Sequence, residues 1–311
     1  MNDASADHAA HQTHERQRAR TGVVFGLCAY GLWGVLPVYF KLVASVSPFD
    51  IVAHRIVWSM VLLGLGVALF GRLDVVRQAF ADRRSLRLLV VTATLIAGNW
   101  LLYVYAINSG HILAGSLGYY LNPLANILLG RFLLSERLTR LQWAAVALAA
   151  AGVAVLAAGA LDTLWISLTL CFSFAFYGFF RKGIAVDSVT GLTVETILLF
   201  PFALVWLLVG LSTGREAFGN SPGQFMLLAS AGLLSTAPLL LFTEAARRLP
   251  YSTVGMLQFV APTLQFLVAV LVYDEPFTHT HLTAFAAIWT ALVLYVGSSL
   301  HRARRSRPLP E

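Results

Sequence analysis

The chain is short of charge. Asp, Glu, Lys and Arg make up 12% of its 311 residues, about half of the ~25% carried by an ordinary soluble domain. Hydrophobic residues account for 58%, more than a soluble fold has polar surface to cover. Cysteine is scarce too. Cys28 and Cys171 both fall in apolar stretches, where a thiol behaves as a small hydrophobe, so neither a disulfide nor a metal site is expected. No GxxxxGK[ST] and no HExxH occurs, which excludes ATP-driven pumping by this chain alone and a zincin-type enzyme. No cofactor is expected. Residues 1–20 hold no apolar run of their own, so a cleaved signal peptide is not expected. His8, His11 and His14 in that segment read as part of a solvated tail rather than as metal ligands.

What is present is apolar sequence in long blocks, with a mean hydropathy of +0.73. The blocks run through 22–44, 49–70, 86–107, 112–130, 141–160, 163–181, 190–211, 223–243, 252–273 and 281–300. About 20 residues at 1.5 Å each span the ~30 Å hydrocarbon core, so the pattern predicts an all-α integral membrane protein of ten helices. Continuous apolar blocks favour helices over barrel strands, which would alternate with period two. The formal charge of +7 does not point to nucleic acid, because the basic residues sit between blocks rather than on one face. With ten spans, nineteen of them fall on the side of both termini, while only Lys41 and Arg215 fall on the other. The positive-inside rule then makes both termini cytoplasmic. Residues 1–20 are expected to form a disordered cytoplasmic tail and 301–311 a basic cytoplasmic tail.

The chain also repeats itself. At an offset of 139, residues 106–139 lie over 245–278, so that Ala106 meets Ala245, Pro123 meets Pro262, Glu136 meets Glu275 and Thr139 meets Thr278. A looser match sets Trp33-Gly34 over Tyr177-Gly178. Two repeats follow, 21–160 and 161–300, each of five helices. Five is odd, so the second repeat enters the membrane reversed, an arrangement common in alternating-access transporters.

Polar groups at bilayer depth mark candidate sites. On the fourth block Ser116, Tyr119, Pro123 and Asn126 recur at i, i+3, i+7 and i+10, along one helix face. Their counterparts on the ninth are Gly255, Gln258, Pro262 and Gln265. The two stripes fit a pair of walls facing across a cavity, with each proline freeing a carbonyl. They fit equally the small and polar residues by which membrane helices pack. Asn99, Trp100 and Tyr103 on the third block, Phe242 on the eighth, Trp33 on the first and Tyr177 on the sixth would make an aromatic chamber, suited to amphipathic or aromatic solutes or to a cation held over a ring. Tyr105 and Trp143 read as core or interfacial residues. Arg55 and Glu195 lie inside opposite ends of the second and seventh blocks, roughly 12 Å apart in depth across a ~30 Å core, too far for a simple pair. Each could gate its own side, snorkel or join a local ion pair. His54 could titrate near neutrality, and His54 or Glu195 could couple transport to protons, the other reading for both being a structural hydrogen bond or local ion pair. Glu244, Arg247 and Arg248 read as a helix-end cluster.

The stretches AYGLWGVLPVYFK (29–41), AHRIVWS (53–59), GNWLLYVYAINSGHILAGSLGYYLNPL (98–124), LLGRFLLSERL (128–138) and SFAFYGFFRK (173–182) resemble the RarD family of EamA-type permeases, in the drug/metabolite transporter superfamily. The resemblance covers about 22–300 and is most specific in the first half; DEPF stands in the second repeat where SERL stands in the first. It implies a five-plus-five inverted fold in a bacterial inner membrane. The expected function is a secondary transporter, more an exporter than an importer, for a small metabolite or drug-like solute. The rival classes are a membrane-embedded enzyme, which would need paired acid and base groups at one depth, and a sensor, for which neither tail is long enough. Beyond lipid and solute no partner is implied, and a homodimer is left open. Reporter fusions should place both termini and the Glu136 loop in the cytoplasm and the Asp274-Glu275 loop outside; an external C-terminus would overturn the count of ten.

Overall fold

A computed structural model describes residues 2–109, 111–158, 161–215, 217–273 and 279–305, and these are helices and short turns with no strand among them. The order is α1 (Asn2–Leu42), α2 (Pro48–Leu69), α3 (Leu73–Ala81), α4 (Arg83–Asn108), α5 (Ile112–Phe132), α6 (Arg140–Ala157), α7 (Leu164–Gly183), α8 (Ser188–Ser212), α9 (Pro222–Arg248), α10 (Tyr251–Gln258), α11 (Val260–Val272) and α12 (His279–Arg305). Among the described residues eight stretches are long and apolar enough to cross a membrane: Gln17–Leu42 of α1, α2, Arg83–Ala106 of α4, α6, α7, α8, α9, and Tyr251–Val272, which joins α10 and α11. α5 and α12 stand where the fourth and tenth apolar blocks were expected, α12 with a shorter apolar stretch over Leu282–Ser298.

Three local differences from the sequence expectation have plain causes. α1 reaches back to Asn2, so the polar residues expected to be disordered are helical; Asn2–Arg20 contains no Gly or Pro to stop the helix. α3 was not anticipated, because its short segment lies among arginines. It buries Val76 and Ala79 against Val67, Leu89, Ile184 and Val194, and Arg72 beside it meets Asp187 at 2.8 Å. The ninth block divides at Phe259. Pro262 has no N–H to offer the carbonyl of Gln258, and its ring crowds that turn. Pro123, its counterpart, lies inside an unbroken α5. The Asp274-Glu275 loop lies outside the described residues.

Helix partners follow a pattern. α1 packs on α9 and α4 on α7; α5 packs on α7 and α11 on α1; α2 packs on α9 and α4 on α8. α2 meets α8, α5 meets α10, and α6 meets α12. Small residues permit these approaches. A Cβ on Gly255 would stand 2.6 Å from the Pro123 carbonyl oxygen across the α5–α10 contact, and one on Gly232 would stand 2.5 Å from the Trp58 backbone across α2–α9. The Glu136 carboxylate locks the turn after α5 to the start of α10. It accepts from the Tyr251 N–H at 2.5 Å, the Ser252 N–H at 2.9 Å and the Ser252 hydroxyl at 2.5 Å, an anion on the positive end of a helix.

A methyl group at Gly255 would meet rigid backbone, so Gly255→Ala should destabilise the detergent-purified protein by about 1–3 kcal/mol. Gly31→Ala, whose methyl would meet nothing within 4 Å, should leave the melting temperature unchanged or slightly raised.

Candidate functional site

The expected aromatic chamber is filled by its own walls. Trp33 lies 5.7 Å from Phe174 and 5.8 Å from Phe242 between ring centroids, Phe174 lies 5.3 Å from Phe242, and Tyr177 stacks on Phe242 at 6.4 Å. Tyr177 and Phe242 have no exposed surface. These rings are the core where α1, α7 and α9 meet. Tyr105 and Trp143 are exposed on the outside of the bundle, as an interfacial reading requires.

The two polar stripes also touch rather than face each other across a gap. The Asn126 amide donates to the Gln258 carbonyl oxygen at 2.7 Å, both side chains being buried, and Pro123 and Pro262 are buried beside them. Gln265 donates to the Trp33 carbonyl at 3.0 Å. The Ser116 side chain lies outside the described ones. Asn99 is fully used as well: its amide donates to the Leu170 carbonyl at 2.8 Å and to Ser173 at 2.9 Å, and its carbonyl oxygen accepts from Tyr119 at 3.4 Å. In this conformation the stripes hold helices together, the second of the two sequence readings. His54 is likewise a strut. Its Nδ1 accepts from the Trp58 indole at 3.2 Å, so its Nε2 carries the proton donated to the Ala217 carbonyl at 2.7 Å.

Glu195 has partners that the sequence reading missed. Arg181, the last residue of the sixth apolar block, is fully buried, and its Nε lies 3.6 Å from the Glu195 carboxylate. Thr92 donates to the same carboxylate at 2.5 Å and Tyr177 at 3.4 Å. Arg181 also donates to the Ser188 carbonyl at 3.0 Å, while its Nε and Nη1 have no hydrogen-bond acceptor among the described atoms. Gly191 makes room for the guanidinium, since a Cβ there would overlap it. The available signal was the RK pair at the end of α7: two cations one residue apart point to different sides of a helix, and Lys182 turns away to the carbonyls of Ala246 and Leu249 at 2.6 and 2.5 Å.

Arg55 does not snorkel. Its Nε donates to Ser235, near the midpoint of α9, at 2.7 Å, and its guanidinium carbon lies 4.4 Å from the Trp100 ring centroid. Tyr103 and Tyr119 pack edge to face at 5.3 Å, and both phenols, with that of Tyr39, are within electrostatic reach of the guanidinium. The face of Trp100 expected to hold a solute cation is thus occupied by an arginine. Asp50, also on α2, is engaged by Arg215 and by the Trp206 indole, each at 2.9 Å.

Two spaces open on these groups. A cavity of about 20 Å³ is lined by Ile56, Ser59, Trp100, Glu195 and Thr236, among others, room for about one water. A wider mouth of about 600 Å³ lies between α1 near Arg18, Asp187 at the start of α8 and the end of α9, lined also by Glu244, Arg247 and Arg248. The expected helix-end cluster is there, with Arg248 paired to Glu244.

Membrane-length helices enclosing buried polar groups define a multi-pass membrane protein. Comparison with known proteins makes the class specific. Residues 20–158 match the EamA-like transporter family model. The chain is 44% identical to an "Uncharacterized transporter" of Vibrio cholerae, covering 95% of this chain and 99% of the relative. It is 41% identical to "Protein RarD" of Escherichia coli K12, covering 94% and 99%. A crystal structure 19% identical in sequence superposes with a TM-score of 0.70 over 93% of this chain and 99% of the other, a likeness of fold. The chain belongs to the RarD family of EamA-like transporters, of the drug/metabolite transporter type.

Removing one partner of a buried ion pair leaves the other uncompensated. Arg181→Met should therefore destabilise the purified protein by about 3 kcal/mol or more. The double variant Arg181→Met/Glu195→Gln should recover part of that loss. Both are read from thermal unfolding in detergent.

Proposed function

We propose that the protein is a secondary transporter that exports a small metabolite or drug-like solute across a bacterial inner membrane by alternating access, through ten spans in two inverted five-helix repeats with both termini cytoplasmic. The observation that carries this reading is the reciprocity of the helix contacts. With α1, α2, α4, α5 and α6 matched in order to α7, α8, α9, the α10–α11 unit and α12, the α1–α9 contact becomes α7–α4. Likewise α5–α7 becomes the contact of α1 with α10–α11, and α2–α9 becomes α8–α4. The α2–α8, α5–α10 and α6–α12 contacts map onto themselves. Such a bundle can exchange the conformations of its halves about a central axis, the basis of alternating access.

The small cavity is lined by helices of both halves, α2 and α4 from one and α8 and α9 from the other. At about 20 Å³ it is closed to any organic solute, so transport requires the halves to part there. Catalysis has less support: the buried carboxylates, Asp50 and Glu195, are each committed to an arginine. An exporter direction rests on the kinship with the drug/metabolite transporters.

Purified protein in liposomes should catalyse counterflow of at least one solute from a panel of metabolites and drug-like compounds, and an imposed pH gradient should tell coupled transport from uniport. A cysteine replacing Thr236, in a background without Cys28 and Cys171, should react with a small polar thiol reagent during turnover and be protected by the transported solute. Absence of counterflow for every solute together with an inert cysteine would overturn the proposal.

A further inference from the structure

Partly or wholly buried arginines of the bundle are commonly answered by carboxylates, as Arg72 is by Asp187 and Arg248 by Glu244. Arg181 is paired with Glu195 and Arg215 with Asp50. Arg55 has no carboxylate partner among the described residues. Of its five N–H donors, the one on Nε is spent on Ser235; Nη1 and Nη2 have no acceptor among the described residues, and the side chain is only part-buried. A cation held at depth with an open edge is costly unless something neutralises it. A purely structural arginine would be expected to spend its donors on carbonyls, as Arg247 does on those of Ile184 and Val186. Arg55 instead is fixed at two points, by Ser235 and by the Trp100 ring at 4.4 Å, with its terminal edge left free.

We propose that Arg55 is the anion-docking residue of the transport site, and that its ligand is a small monocarboxylate with an apolar or aromatic body. This rests on the transporter reading above. The free edge presents two N–H groups in one plane, the geometry that grips both oxygens of a carboxylate. One unpaired guanidinium balances one negative charge. His54 beside it is committed as a neutral strut by its two hydrogen bonds, so the second charge of a phosphate monoester would go unanswered. The surrounding groups suit the rest of such a molecule: the Tyr103–Tyr119 pair supplies ring surface, and the Tyr103 hydroxyl, with no hydrogen-bond partner among the described residues, can give a further donor. Trp100 belongs both to the stack on Arg55 and to the lining of the internal cavity, which connects the docking group to the place where the halves must separate.

Equilibrium binding to the full-length protein in lipid nanodiscs tests this, with benzoate, phenylacetate and 3-phenylpropionate as probes, each beside its neutral amide, in chloride-free buffer. At least one carboxylate should bind roughly tenfold or more tightly than its amide. Arg55→Gln should abolish that preference while leaving weak amide binding in place. Arg55→Lys, which keeps the charge but loses the planar fork, should retain only part of it, and Tyr103→Phe should weaken the carboxylate by severalfold. The carboxylate-to-amide ratio of the unsubstituted protein stands even if a variant misfolds. Equal binding of acid and amide, no binding of any carboxylate, or chloride or phenyl phosphate binding as tightly as the best carboxylate would each overturn the proposal. Carboxylate binding without counterflow in liposomes would instead overturn transport and leave the anion site standing.

Discussion

Hydrocarbon offers no hydrogen bonds, and nearly every local feature of this bundle answers to that fact. Buried carboxylates are matched to arginines, as Glu195 is to Arg181 and Asp50 to Arg215. Amides close on amides or carbonyls, as Asn126 does on Gln258 and Asn99 on Leu170. The free end of α10 is capped by Glu136 from the other half of the chain. Apolar burial does not select partners in lipid as it does in water, so helix pairing falls to these polar links and to the glycines that let backbones meet.

The same constraint explains what could be read from the sequence. Membrane helices announce themselves through length and hydropathy, so every block falls on helix, the ninth on two, and the family resemblance held. The internal repeat was visible because Pro123, Glu136 and their counterparts keep their spacing. α3 was invisible because a nine-residue helix among arginines carries no span-length signal. Partners were harder still. Depth along each helix can be counted, but azimuth cannot, so Trp33, Tyr177 and Phe242 were placed around a chamber when their rings in fact fill it.

Arg55 and Glu195 were singled out from sequence because charge at depth is conspicuous, but their roles turned on residues that drew no notice there. Arg181 was one of nineteen basic residues counted for orientation, and Ser235 was one serine among many. A count of residues from a helix end cannot tell an arginine that climbs to the headgroups from one that turns inward, because the side chain spans either distance. The Ser235 bond near the midpoint of α9 decides between them.

The Asn126–Gln258 bond has no mirror image. Gln258 is the repeat counterpart of Tyr119, and Gln265 that of Asn126; a symmetric bundle would pair Gln265 with Tyr119. Here Gln265 reaches the Trp33 carbonyl and Tyr119 reaches Asn99. If the halves exchange shapes during the proposed cycle, the two end states break and remake different bonds and cannot be isoenergetic. The empty carrier then has a preferred resting face, whose population follows the free-energy difference between the two sets of bonds.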